Sequence, residues 1–281
     1  MNTEFLEHVF RINTGEEEAA VMILVVSTQA GAPQIPGARM LVSRQGRRYG
    51  TIGGGQLEKL AEEHAISMLN ENIPTDFKTF DLGSSQDATL KTGMICGGQM
   101  SLYFEHLSPP DRIIIYGYGH IGKVLAPLAA QCGFHVIGVD ERCTDLEYLE
   151  DNSRKNITLL GMQPEEHARS LMLRSTDSIV IMTHAHLDDL STLKAVSTRV
   201  LSSALPRYIG MIGSKKKNRA IMEALKESGV SRSFLNMVRA PIGLSLGGGS
   251  PTEIAVSIMA EIQAVKYGKI QGGEVESMSK K

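Results

Sequence analysis

The stretch Arg112–Asp140, RIIIYGYGHIGKVLAPLAAQCGFHVIGVD, constrains the fold of this chain more than any other. Ile113–Tyr116 is a short apolar run of strand formers that enters Gly117-Tyr118-Gly119-His120-Ile121-Gly122. Val124, Leu125, Leu128 and Ala129 then recur at helical spacing, and Gly133 supplies a helix stop before a second buried strand, Phe134–Val139, ends at Asp140;. Each glycine has an assigned task. The first permits the tight turn, the second lets backbone approach a pyrophosphate, and the third lets helix and strand pack closely. Asp140 lies 18 residues beyond Gly122, where an acid can take the two hydroxyls of a ribose;. Strand, glycine turn, helix, strand and terminal acid together define a Rossmann-type unit. They do not by themselves define a bound dinucleotide, because the same turn also serves packing.

The alternation continues downstream. Ile157–Leu160, Ser178–Thr183 and Tyr208–Ile212 read as strands, and Pro164–Leu173, Leu187–Leu201 and Lys215–Ser228 as helices. That order predicts a mainly parallel, doubly wound sheet covered on both faces. A last helix opens at Ser250-Pro251-Thr252-Glu253, a capping-box signature, and runs to Lys266;. Upstream, the pattern is different. A short helix within residues 2–20 precedes a strand ending near Val26, a hairpin joins Arg39–Ser43 to Tyr49–Ile52, and Gly53-Gly54-Gly55 opens a helix over Gln56–Leu69. Thr79–Leu82 and Met100–Phe104 follow as strands. Ser108-Pro109-Pro110-Asp111 breaks the pattern;. The expected organisation is an α/β chain with a small N-terminal α/β domain over residues 1–108, a Rossmann-like domain over 111–268, and a polar, mobile tail over 269–281.

At 281 residues, 42% hydrophobic and 21% charged, the chain has the composition of a soluble globular protein;. A net charge of −2 gives no reason to expect nucleic acid or a membrane surface as partner, and no run is apolar for the roughly 18 residues a span requires;. The segment MNTEFLEHVF is not a secretory signal;. Cys96, Cys132 and Cys143 have no CxxC spacing, which suits a reducing cytoplasm;.

Several residues could carry chemistry. Cys96, followed by Gly97 and Gly98, reads either as a thiolate beside exposed N–H groups or as a small buried residue at a turn;. Gly53, Gly54 and Gly55, with Glu58, could form an anion-accepting nest or a turn that needs positive φ;. Arg39 is available to an anion. Thr183-His184-Ala185-His186-Leu187-Asp188-Asp189 lies at the carboxyl edge of the sheet, but no histidine follows His186 to complete a hydrolytic metal site;. Ser214 and Lys215, at a strand end and helix start, are candidates for phosphate, whereas Lys216 and Lys217 read more as a solvated first turn;.

Taken in order, GAPQIPGARMLV, TIGGGQLE, ICGGQMSLYFE, YGYGHIG, VDER, MTHAHLDD, YIGMIGSKKKNR and PIGLSLGGGSPTEIAVSIMAEI resemble the XdhC/CoxI family of molybdoenzyme maturation factors across residues 20–265. The resemblance implies an accessory protein that binds the molybdenum cofactor (molybdopterin), supports its sulfuration with a cysteine desulfurase, and passes it to an apo xanthine dehydrogenase-type molybdoenzyme. It also implies a homodimer in the cytoplasm with no turnover of its own. Within it, Cys96 is the candidate molybdenum contact, and Arg39 with the glycine nests would hold the pterin phosphate. Gln56, Arg239 and Ser245 depart from residues frequent in that family. The rival reading is an NAD(P)-dependent oxidoreductase using Gly117, Gly119, Gly122 and Asp140, and a nucleotide bound only to regulate delivery is a third.

Overall fold

Strict alternation along β1 (Ala20–Thr28) sends Val21, Ile23 and Val25 to one face of a sheet and Ala20 and Met22 to the other;. The structure is a computed structural model describing residues 3–29, 32–82, 98–144, 156–184, 186–271 and 274–275. Two units separate at Pro110/Asp111, where consecutive prolines can donate no ladder hydrogen bond;.

In the first unit β1 is the centre of a five-stranded antiparallel sheet of order β3-β2-β1-β5-β4, with β2 at Arg39–Ser43, β3 at Arg48–Gly50, β4 at Thr75–Asp81 and β5 at Gln99–Leu107. Helix α2 (Gly55–Glu71) covers one face through Leu57, Ala61, Ala65 and Met68. Helix α1 (Thr3–Thr14) covers part of the other, setting Phe5 and Ile12 against Ala20 and Leu41. Strand β4 begins four residues before the expected Thr79. Its first half, Thr-Asp-Phe-Lys, is a polar sheet edge whose pairing with β5 carries no apolar signal;.

The second unit is a parallel six-stranded sheet: β6 (Arg112–Tyr116), β7 (His135–Val139), β8 (Ile157–Leu160), β9 (Ser178–Ile181), β10 (Tyr208–Met211) and β11 (Val238–Arg239). The order β11-β10-β9-β6-β7-β8 is the 3-2-1-4-5-6 order of dinucleotide-binding folds, with its switch point between β6 and β9;. The run Ile113-Ile114-Ile115-Tyr116 is apolar throughout because both faces are covered. Ile113 and Ile115 meet α3 (His120–Gln131) and α8 (Pro251–Lys266), while Ile114 and Tyr116 meet α4 (Pro164–Ser170), α5 (His186–Ser202), α6 (Lys215–Glu227) and α7 (Arg232–Leu235).

Two expectations need correction, and two short elements carried none. Helix α4 stops at Ser170 and not Leu173, since Leu171 turns extended and buries with Leu173 in the core. The four-residue α7 and two-residue β11 are too short to leave a periodic signal. Ile270–Gln271 pairs antiparallel with Glu274–Val275, so part of the expected mobile tail is a short two-stranded ladder. Residues 276–281 of that tail lie outside the described residues.

Candidate functional site

The carboxyl edge of the parallel sheet is built from the ends of β6, β7, β9 and β10. At the end of β6, Gly117 has φ +97°, and a Cβ there would lie 2.2 Å from the backbone oxygen of Met182. Only glycine can let β6 turn so close to the end of β9. Gly122 has a packing reason too, since its added Cβ would meet Gly117 O at 3.1 Å and Tyr118 at 3.5 Å. Gly119 is different. The nearest atom to its hypothetical Cβ is Arg142 Nη2 at 3.7 Å, so the protein's own packing leaves room for a side chain there. Tyr118 is fully buried, and a Cβ on Gly138 would come within 2.6 Å of its ring. The glycine in β7 makes space for the tyrosine in the turn.

Asp140 ends β7 where the sequence places it, but its carboxylate turns inward. Oδ2 accepts from the Tyr118 N–H at 2.8 Å and from Arg142 Nη2 at 2.7 Å, and Oδ1 accepts from Arg142 Nε at 2.9 Å and the Arg142 N–H at 3.1 Å. The residue is 8% exposed. Burial pushes its pKa up, yet the Arg142 fork and the two backbone donors outweigh burial and hold it below the usual carboxylate range;. In this arrangement a ribose finds Asp140 already engaged. Motif spacing does not single out Arg142, although an arginine two residues after the strand-end acid is visible in VDER. A cleft of about 350 Å³ opens beside these groups, lined by Gly117, Asp140, Arg142, Pro164, Thr183 and Asp188 among others.

In the first turn of α5, just after β9, Asp189 is fully buried, accepts from the Thr183 N–H (3.0 Å) and hydroxyl (2.6 Å), and pairs with Lys217 Nζ at 2.6 Å. Lys217 therefore belongs to the interior, while Ser214, Lys215 and Lys216 are exposed. Among the described residues no group of three or more His, Cys, Asp or Glu is arranged to hold a metal ion. The loop after β11 is anchored by buried Glu261, whose Oε2 accepts from the Gly243 N–H at 2.8 Å and from the Tyr208 hydroxyl. Burial and the neighbouring Glu261 push the Tyr208 hydroxyl well above its usual range. Arg239 reaches the same carboxylate at 3.4 Å. At the start of α8 the capping box is present, and Glu253 takes the N–H groups of Ser250 and Gly249, which lowers its pKa to about 2.

The first unit repeats this theme. Gly53, Gly54 and Gly55 all have positive φ, and the nest they open is filled by the chain itself. Glu58 Oε1 accepts from the N–H groups of Ile52 (3.0 Å) and Gly54 (2.9 Å) and from the Thr51 hydroxyl (2.5 Å), with Arg48 alongside Oε2 at 3.5 Å. Burial acts to raise the Glu58 pKa, and the Thr51 hydroxyl, the two backbone donors and the Arg48 charge overcome it. Arg39 is exposed on the rim of a separate cavity of about 390 Å³ that includes Phe5, Ile35 and Gly50. Gly98 leads into β5 with φ +116°. Cys96 and Gly97 lie outside the described residues.

Comparison with known proteins covers both units. The XdhC Rossmann domain matches residues 113–262, and the XdhC and CoxI family matches residues 14–81. The chain is 28% identical to the protein YqeB of Escherichia coli (strain K12), with 87% of this chain aligned but only 43% of that protein's length spanned. It is 22% identical to a probable xanthine dehydrogenase subunit of Bacillus subtilis (strain 168), covering 88% of this chain and 93% of the relative. It is also 22% identical to the molybdenum cofactor insertion chaperone PaoD of Escherichia coli (strain K12), covering 89% and 84%. With a Rossmann sheet of the expected order and family matches in each unit, the chain belongs to the XdhC/CoxI family.

Proposed function

We propose that this chain binds the molybdenum cofactor and delivers it to an apo xanthine dehydrogenase-type molybdoenzyme, acting as an accessory protein and not as the catalyst. The observation that carries this reading is the pairing of both family segments on one chain with a near full-length relative named as a molybdenum cofactor insertion chaperone. The donor chemistry agrees in part. The cofactor's anionic ester needs hydrogen-bond donors that the protein has not already satisfied. The nest at Gly53, Gly54 and Gly55 does not meet that need while Glu58 occupies it, whereas the unfilled space beside Gly119 and the exposed Ser214-Lys215 turn leave room for the ester. Cys96 remains the candidate soft ligand to molybdenum. A cysteine desulfurase as sulfur donor, a homodimer and a cytoplasmic setting belong to the same proposal.

The oxidoreductase alternative loses its ribose contact, because the Asp140 carboxylate is held by Arg142 and the Tyr118 N–H. The test is to co-express the full chain with cofactor biosynthesis and assay copurifying pterin and molybdenum. Near-stoichiometric pterin is expected. A chain that purifies without pterin, yet turns over a substrate with NAD(P), overturns the proposal. Cys96→Ala is expected to lower bound molybdenum, and full retention would remove the thiolate contact from the mechanism.

A further inference from the structure

The antiparallel sheet of the first unit ends in two edges that differ in kind. Strand β3 is three residues long and closes on Gly50, so it offers a further strand almost no ladder;. Strand β4 runs for seven residues, Thr75–Asp81, and among the described residues no strand lies on its outer side;. The bonds to β5 fix which of its groups face outward. The Pro74 carbonyl accepts from the His106 N–H at 2.9 Å and Leu82 donates to the Gly98 carbonyl at 2.9 Å, so the even-numbered residues point toward β5;. The backbone N–H and C=O groups of Thr75, Phe77 and Thr79 therefore point away from the sheet;.

The side chains along this edge are ordered as well. Phe77 is 55% exposed, because α1 covers the same face of the sheet only around Ala20 and Leu41. Asp76 and Lys78 lie on the other face with His64 of α2, whose ring nitrogens meet Asp76 Oδ2 at 2.7 Å and Lys78 Nζ at 3.0 Å. Asp76 Oδ1 accepts from the Phe77 N–H at 2.8 Å, which shields that donor while the strand stands alone. Outward from Phe77, the segment Thr-Asp-Phe-Lys-Thr carries opposite charges on either side of its centre and the same residue at both ends. An antiparallel copy turned about a two-fold axis at Phe77 sets Asp76 against Lys78 twice, Thr75 against Thr79 twice, and Phe77 against Phe77;. These pairings match outward-facing residues with one another, as a ladder requires. Moving the axis to residue 76 or 78 would oppose Asp76 to Asp76 or Lys78 to Lys78, which is repulsive;.

We propose that β4 is the seam of a homodimer, in which two copies of the chain join Thr75–Thr79 edge to edge about a two-fold axis at Phe77. A second copy is the occupant because the strand is complementary to itself in one register. On pairing, the Phe77 N–H leaves the Asp76 carboxylate for the Phe77 carbonyl of the other copy, and the freed carboxylate oxygen turns to the other copy's Lys78. Asp76 and Lys78 then form a narrow pair, with Cα atoms about 4.5 Å apart, where facing side chains are closest. The two Phe77 rings meet on the open face. This deepens the homodimer part of the delivery reading by naming its surface, and it rests on that part alone.

The test measures the mass of the full chain by sedimentation equilibrium and the exchange of its amide hydrogens residue by residue. The parent is expected to dimerise, with the Thr75 and Thr79 amides exchanging at least about tenfold faster once dilution separates the copies. Asp76→Lys and Lys78→Asp each place like charges on both charged rungs, so either variant alone should dimerise at least about tenfold more weakly. Mixed in equal amounts, the two variants present opposite charges on both rungs, and a heterodimer should recover the parent's affinity. A monomeric parent, a dimer whose Thr75 and Thr79 amides exchange as freely as in the monomer, single variants that dimerise as tightly as the parent, or a mixture that forms no heterodimer overturns the seam. Should losing the His64 contact unfold the variants, exchange in the parent decides alone. Pterin assayed on the same samples separates the two readings. A monomer that carries pterin overturns the seam and leaves delivery standing, while a dimer protected at Thr75 and Thr79 that carries none does the reverse.

Discussion

The two glycine-rich strand-to-helix junctions read alike in sequence and are used differently. At Gly53-Gly54-Gly55 the helix that follows sends Glu58 back into the turn, so the donors exposed by positive φ are met from within. At Gly117–Gly122 the nearest acid, Asp140, arrives from the next strand, takes only the Tyr118 N–H, and is itself drawn aside by Arg142. Gly119 is left facing space that the protein does not fill. A run of glycines therefore shows that backbone donors become available. The position of the nearest carboxylate decides whether the protein or a ligand receives them.

The largest expected effect tests whether Gly117 is structural. Gly117→Ala places a Cβ 2.2 Å from the Met182 backbone oxygen at φ +97°, and neither atom can swing away. Backbone strain and overpacking should each cost about 1–3 kcal/mol, so a loss of roughly 2–6 kcal/mol in urea unfolding is expected. A variant with the parent midpoint would mean that the β6 turn is not held against β9.

Glu58→Ala sharpens the contrast from the other side. Removing the carboxylate leaves the Ile52 and Gly54 N–H groups without their acceptor, at a cost of about 1–3 kcal/mol, and turns a filled nest into an open one;. Urea unfolding gives the first number, and titration with inorganic phosphate gives the second, since the variant should gain an anion site at Gly53–Gly55 that the parent lacks. No gain would show that the glycines serve only the turn.

The acid side of the stability curve follows from the same carboxylates. Glu58, Asp140 and Glu253 all have lowered pKa values in the fold. Their contribution is complete above the unfolded values of about 4 and is lost as pH falls through the folded values, down to about 2 for Glu253;. Burial also lowers His64, His106, His135 and His167, so these favour the fold above about 6.5 and oppose it once the unfolded chain begins to protonate;. Stability measured against pH should therefore fall in two stages on acidification. A curve flat between neutrality and pH of about 5 would contradict the buried histidines.

Much of this fold was legible in advance, for physical reasons that also explain the rest. The parallel sheet announced itself because strands buried on both faces, such as Ile113–Tyr116, must be apolar without interruption;. The first half of the edge strand β4 and the two-residue β11 did not, since half-exposed or very short strands need no such run. The glycine turns, Asp140, Ser214 and Lys215 were visible as residue types at strand ends and helix starts. Their partners were not. Arg142 on Asp140, Glu58 inside its own nest and Asp189 on Lys217 are decided by rotamers and by contacts between distant segments, which no spacing encodes.

The smallest effect on stability carries the sharpest test of the comparison. Gly119 has φ −87°, ordinary for any residue, and the nearest obstacle to a Cβ is the far end of Arg142 at 3.7 Å. Gly119→Ala should therefore shift unfolding by no more than about 0.5 kcal/mol, as expected of a substitution that meets nothing. Its effect on binding should be large by contrast, because a methyl group would stand where a phosphate must approach the start of α3. Affinity for copurified pterin or for added nucleotide should drop at least tenfold while the urea midpoint holds. If Gly119→Ala changes neither, the second junction is as self-contained as the first, and the difference between them vanishes.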